Sequence, residues 1–101
     1  MSAVNITKAN FFSEVIHCDK PVLMDFWAPW CGPCRMVGPV VEEIAAERAD
    51  IKVCKVNVDE QPELAGQFGV MSIPTLVVIK NGKIVRQAVG ARPKSAIVAM
   101  L

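Results

Sequence analysis

Two thiols separated by two residues, Cys31 and Cys34 of Trp30-Cys31-Gly32-Pro33-Cys34, can close into a small disulfide ring and reopen without moving the rest of a fold. That makes the pair a two-electron switch. The spacing also suits a helix start, with Cys31 in the first turn, where free backbone N–H groups stabilise a thiolate, and Cys34 about one turn later on the same side. Cys31 is then the attacking sulfur and Cys34 the resolving one. Pro33 supports the placement, because proline lacks an N–H and is tolerated in a helix's first turn, where that donor has no partner. Half of a zinc site has the same spacing, but tetrahedral zinc takes four ligands, usually from two such pairs. The remaining candidates, His17, Cys18 and Cys54, form no second Cys-x-x-Cys and no His-x-x-x-His, and apolar residues crowd the motif on both sides. The redox reading therefore stands over the metal one, and no metal is expected.

Asp25 is the second residue whose type and place suggest chemistry. A carboxylate inside the apolar run from Val22 to Trp27 is costly to ionise and titrates at a raised pKa, so it can move protons near neutral pH. Strand alternation puts Leu23, Asp25 and Trp27 on one face. The competing reading is an edge-strand aspartate pointing at water. Lys55, between Cys54 and Val56, reads equally as an ordinary solvated lysine. Cys54 reads as a small buried hydrophobe and Cys18 as an exposed thiol. His17-Cys18 is no catalytic dyad, because nothing in the sequence brings it near Cys31. Pro74 follows Ile73 at the entrance to a strand, where proline needs a special geometry, and X-Pro is the only bond type for which cis is cheap. Gly32 and Pro33 add no charge that would stabilise the thiolate, so the pair favours giving electrons.

The elements that must position these groups follow from periodicity. At 101 residues the chain has room for one domain, 1–101. Apolar strands alternate with helical patterns throughout, which argues α/β. Thr7 or Asn10 caps a first helix with Phe11, Phe12, Val15 and Ile16 on one stripe. Residues 21–27 form a central strand covered on both faces. A helix from about Cys31 to Arg48 follows, kinked at Gly38-Pro39. Residues 51–58 form a second, parallel strand and 62–68 a short helix ended by Gly69. Strands 75–79 and 83–89 are antiparallel neighbours, because Asn81-Gly82 signals a two-residue turn with positive φ at both positions. Pro93 and the apolar tail from Ala96 make a last helix. Eleven Lys and Arg against ten Asp and Glu, without a basic cluster, argue against nucleic acid. The longest apolar runs are too short to span a bilayer and no signal peptide is visible, so a cytoplasmic protein is expected.

With these motifs in this order, the chain resembles the thioredoxin family over essentially its whole length. Residues 25–34, Asp25 through Cys34, look like the family's active-site strand and turn, and Ile73-Pro74-Thr75 looks like its cis-proline loop. Asn81-Gly82 and Val89-Gly90 sit where the family has its hairpin and last-strand glycines. The resemblance implies a thioredoxin-like α/β fold, with a central mixed β-sheet flanked by helices on both faces, and a monomeric protein-disulfide reductase. It implies that Asp25 is a buried aspartate assisting deprotonation of Cys34 through water, and that Lys55 tunes it. It also implies a cis bond at Pro74 and a shallow apolar platform of Trp30, Pro33, Met71, Ile73, Pro74, Val89 and Gly90, where an extended substrate segment pairs with the Ile73 backbone by strand addition. The implied partner is a thioredoxin reductase, flavin- and NADPH-dependent or, in photosynthetic cells, ferredoxin-dependent. The chain has no glycine-rich nucleotide fingerprint and needs no cofactor of its own.

Two features depart from the family pattern. Gly38 replaces the usual alanine before the kink proline and costs roughly 1 kcal/mol of helix stability. The final helix is short and carries no charge after Lys94, which leaves the C-terminal layer weakly specified. Two rival readings use the same residues: a binding module without turnover, disfavoured by the presence of both cysteines, and an oxidase or isomerase, disfavoured by Gly32-Pro33.

Overall fold

The apolar run from Val22 to Trp27 becomes the middle of a sheet. In the computed structural model, which describes residues 2–101, β2 (Val22–Trp27) lies parallel to β3 (Lys52–Asn57) and antiparallel to β4 (Thr75–Lys80). β1 (Val4–Asn5) pairs parallel with β3, and β5 (Lys83–Val89) pairs antiparallel with β4, giving the order β1-β3-β2-β4-β5. The sheet is mixed, and its central strand is the one that sequence reading placed there. The β4–β5 turn has φ of 53° at Asn81 and 75° at Gly82, the left-handed pair that a two-residue hairpin matching the strand twist requires.

Alternation along β2 sorts its side chains into two layers. Val22, Met24 and Phe26 join one apolar cluster with Cys54, Val56, Val77 and Ile79 of the neighbouring strands, closed by Val15, Leu64 and Ala65. Val15 belongs to a helical turn at Phe12–Ile16, and Leu64 and Ala65 to α2 (Pro62–Gln67). Leu23 points the other way, with Val53, Leu76 and Val78, under Val37, Val41 and Ile44 of α1 (Gly32–Glu47) and Ile97 of α3 (Lys94–Val98). Each such side chain removed from water contributes about 1.5–3 kcal/mol. Asp25 falls on Leu23's face of the sheet, the face that α1 covers.

Four local features differ from the sequence reading. The first helix is a single π turn, closed by the His17 N–H donating to the Phe12 carbonyl at 2.9 Å, and this i→i+5 spacing breaks the expected stripe. Val15 is buried while Phe12 is exposed and packs at a tilt against His17, ring centres 4.5 Å apart. No side chain caps the turn; Asn10 instead accepts from the Thr7 N–H at 2.7 Å and donates to the Asn5 carbonyl, the local bonding by which asparagine stabilises turns. Cys18, expected exposed, is half-buried against the Val15 cluster, because its N–H turns back to the Val15 carbonyl at 3.3 Å. β1 is two residues long and carries no periodicity from which it could be read.

The C-terminal layer is better tied than the apolar tail suggests. α3 begins at Lys94, whose Nζ bonds the carboxylates of Glu43 and Glu47 on α1, the latter at 2.7 Å. One turn later Ile97 is fully buried.

Candidate active site

α1 starts just past the C-terminal end of β2, after Ala28-Pro29-Trp30, so the two cysteines sit at the end of a central strand. Cys31 is the N-cap, with extended φ and ψ of −87° and 112°, and its Sγ accepts the backbone N–H of Cys34 at 3.2 Å. Pro33 occupies the first turn, as its missing donor permits. Cys31 and Cys34 are joined as a disulfide with Cα atoms 5.3 Å apart. Charge on Cys31 sulfur would meet an N–H and the positive end of a 16-residue helix, both of which favour thiolate over thiol.

The sulfurs face different surroundings. Cys31 Sγ lies 3.9 Å from the Ile73 carbonyl oxygen. The Ile73–Pro74 bond is cis. Pro74 is buried, and its carbonyl accepts from the Gly90 N–H at 2.8 Å, which ties the loop before β4 to the end of β5. Around this junction Trp30, Met71 and Val89 are exposed, Met71 to 95%. A depression of about 360 Å³ runs between Trp30, Val58, Met71 and Ile73. Such contiguous apolar exposure at the rim of a disulfide suits docking of other polypeptides. Of the residues expected on the platform, Trp30, Met71 and Ile73 line this depression, Pro74 and Gly90 are joined by their hydrogen bond, and Val89 pairs with Thr75, whereas Pro33 lies in the first turn of α1 and does not line it. Asp59 was missed: its Oδ2 accepts from Trp30 Nε1 at 2.8 Å and fixes the indole ring. The signal for it is Asn57, whose Oδ1 accepts the N–H groups of Asp59 and Glu60 at 2.9 and 3.3 Å, the turn that Asn-x-Asp sequences favour.

Cys34 faces inward, onto a groove of about 390 Å³ lined also by Trp27, Arg35, Gly38, Glu42 and Lys55. Asp25 is fully buried, directly across the β2–β3 ladder from Lys55, which is half-buried rather than freely solvated. Lys55 Nζ sits 4.8 Å from the centre of the Trp27 ring. Neither carboxylate oxygen of Asp25 has a hydrogen-bond partner among the described residues, nor does Trp27 Nε1. Burial pushes the Asp25 carboxyl up to about 6, with the charge of Lys55 partly opposing the rise. A carboxyl so placed exchanges protons near neutral pH.

The other thiols are elsewhere. Cys54 and Cys18 pack in the cluster on the opposite face of the sheet, and burial pushes the Cys54 thiol up to about 12, which leaves it unreactive at neutral pH. Among the described residues no group of three His, Cys, Asp or Glu is gathered to hold a metal ion, and no helix is long and apolar enough to cross a membrane.

Comparison with known proteins gives the same picture. The family model described as Thioredoxin matches residues 2–101. The chain is 53% identical to Thioredoxin of Pyropia yezoensis over all of its length and 95% of the relative's. It is 54% identical to Thioredoxin of Alicyclobacillus acidocaldarius, covering 99% of this chain and 95% of that one. It is 55% identical to Thioredoxin 1 of Nostoc sp. over 95% of this chain and 91% of that one. A strand-end disulfide at a helix N-terminus, on a mixed sheet of this order and with likeness running the length of the chain, makes this protein a member of the thioredoxin family, a protein-disulfide reductase that works by dithiol–disulfide exchange.

Proposed function

We propose that in this exchange Cys31 attacks and Cys34 resolves. The Cys31 thiolate attacks one sulfur of a substrate disulfide, forming a mixed disulfide and expelling the first substrate thiolate. The Cys34 thiolate then attacks Cys31 Sγ, expelling the second substrate thiolate and leaving the Cys31–Cys34 disulfide on the protein. Two electrons pass to the substrate and its two thiolates take up protons. The observation that carries the order of attack is the Cys34 N–H donated to Cys31 Sγ at the head of α1; burial does not distinguish the two sulfurs, at 5% and 4% exposed.

Asp25 takes the proton of Cys34 through water, since Cys34 lines the groove beside Lys55 and Asp25 lies directly across the ladder from that lysine. Lys55 tunes Asp25 by its charge, and Gly32 and Pro33 keep the turn free of charges that would make the disulfide more oxidising. Trp30, Met71, Ile73, Pro74, Val89 and Gly90 form the docking platform. Members of this family work with a thioredoxin reductase and with disulfide-bearing proteins; for this chain the reductase is of the flavin- and NADPH-dependent or the ferredoxin-dependent kind. A monomer in a reducing cytoplasm fits a fold in which Cys18 and Cys54 are free thiols.

Trapping tests the order of attack. Cys34→Ser, reacted with a disulfide protein such as insulin, should accumulate a mixed disulfide at Cys31 that dithiothreitol releases, while Cys31→Ser should not. Adducts on Cys31→Ser and none on Cys34→Ser would reverse the roles.

A further inference from the structure

Two exposed methionines stand close to the disulfide in the chain and in the fold. Met36 follows Cys34 on α1, and Met71 precedes Ile73, whose carbonyl oxygen lies 3.9 Å from Cys31 Sγ. Among the described residues Met24 is fully buried in β2 and Met100 is half-buried against the α1 cluster, whereas Met36 is 72% and Met71 95% exposed. Met71 stays outside because the chain on either side of it is pinned. The Val70 N–H donates to the Ala65 carbonyl at 2.9 Å, and the Thr75 hydroxyl donates to the Ser72 carbonyl at 2.6 Å. The side chain between them lines the depression of about 360 Å³ shared with Trp30, Val58 and Ile73. No charged side chain lines that depression, and its indole N–H, on Trp30, is already given to Asp59. Met36 lies apart, in a second depression with Val40, Ala91 and Pro93.

We propose that Met71 is an oxidation site through which hydrogen peroxide weakens the docking of protein substrates. The inference rests on the reading of Met71 as part of the docking platform. The thioether sulfur attacks one peroxide oxygen, so that the O–O bond breaks and an S–O bond forms. The sulfur gives up two electrons, and the second oxygen leaves as water with both peroxide protons. Access decides which methionine reacts, which selects Met71 and Met36 over the buried Met24. While Cys31 and Cys34 are joined as a disulfide, neither offers a thiolate to compete for the peroxide. As a thioether, Met71 is an unbranched apolar side chain that adapts to many partners. As a sulfoxide it is polar, and a partner seated over it strips its water with only the Ser72 hydroxyl among the lining side chains to replace it, which is unfavourable. The sulfur of Met71 takes no part in the exchange itself, so binding weakens while the chemical step is unchanged.

In the test, the disulfide form of the full-length protein is treated with hydrogen peroxide until peptide mass mapping finds the exposed methionines converted, and KM and kcat for insulin are then read with dithiothreitol as electron donor. Parent, Met36→Leu and Met71→Leu are each compared with their own untreated sample, so that the effect of the substitution itself cancels. Treatment should raise KM several-fold in the parent and in Met36→Leu, at unchanged kcat, and should leave the KM of Met71→Leu where it was. Methionine sulfoxide reductases acting on both sulfoxide epimers should return the KM of the treated parent to its untreated value. An equal rise in Met71→Leu, a Met71 sulfur that resists peroxide while Met36 is converted, or a Met71 sulfoxide with KM unchanged would overturn the inference. In the last case Met71→Lys separates the causes. A raised KM in Met71→Lys keeps Met71 on the platform, and only the oxidation inference falls. An unchanged KM there removes Met71 from the platform, and both fall together.

Discussion

Replacing Asp25 by asparagine should make the protein more stable at neutral pH. The unfolded carboxyl titrates at its ordinary 3.8 and the folded one at about 6, so the native state binds this proton more tightly than the unfolded state does. The favourable contribution is fully present below about pH 4, declines as pH rises, and is gone above about 6, where both states are ionised and the buried carboxylate remains a net cost. The gap between 3.8 and about 6 corresponds to about 3 kcal/mol. Asparagine matches the protonated carboxyl in shape and in lacking partners, so those costs cancel and most of the 3 kcal/mol survives. In urea unfolding at pH 7 the midpoint should rise by an amount of order 2 M for a domain of this size. Between pH 4 and 6 the advantage of the variant should shrink toward zero, because the parent then carries its own neutral carboxyl. Substrate reduction by the variant should be slower at neutral pH. Equal stability at pH 7, with parent and variant following the same pH dependence from 4 to 6, would refute the burial of an ionising carboxyl at this site.

Three further outcomes follow from the packing. A Cys18→Ser, Cys54→Ala double variant should keep its turnover in an insulin-reduction assay at a cost of about 1 kcal/mol in stability, because both thiols lie across the sheet from the disulfide. Met71→Lys should raise KM for protein substrates several-fold while leaving the melting curve within about 0.5 kcal/mol of the parent, since a side chain 95% exposed supports nothing within the fold. Ile97→Ala should cost about 2–5 kcal/mol in denaturant unfolding, because Ile97 is fully buried between α3 and the α1 layer; a loss under 1 kcal/mol would mean the C-terminal turn is not part of the core.

Much of this was legible in the sequence because the strongest signals are local. The β2 run, Asn81-Gly82 and Pro33 after Cys31 each restrict the backbone by their own chemistry, and the structure has a central strand, a hairpin with two left-handed residues and a helix start at those places. What was not legible depends on pairing across distance. β1 exists because Val4 and Asn5 meet Cys54 and Lys55, and two residues carry no period. Asp59 acquires its role only when the turn after β3 brings it to Trp30. Lys55 could not be told from a solvated lysine until the parallel register set it opposite Asp25. Phe12 and Cys18 were misplaced because an α-helical period was read where the chain makes a π turn. Lys94, which ends the charged part of the sequence, anchors α3 through Glu43 and Glu47, residues about 50 positions earlier.

The order of the two sulfurs is tested most directly by competition for an alkylating agent. The fully reduced protein, given substoichiometric iodoacetamide at pH 7, should carry the label almost entirely on Cys31 by peptide mapping. The Cys31 sulfur accepts the Cys34 N–H at the helix N-terminus, whereas Cys34 faces the groove beside Lys55. Label shared equally between the two cysteines, or concentrated on Cys34, would contradict the assignment of Cys31 as the attacking thiolate.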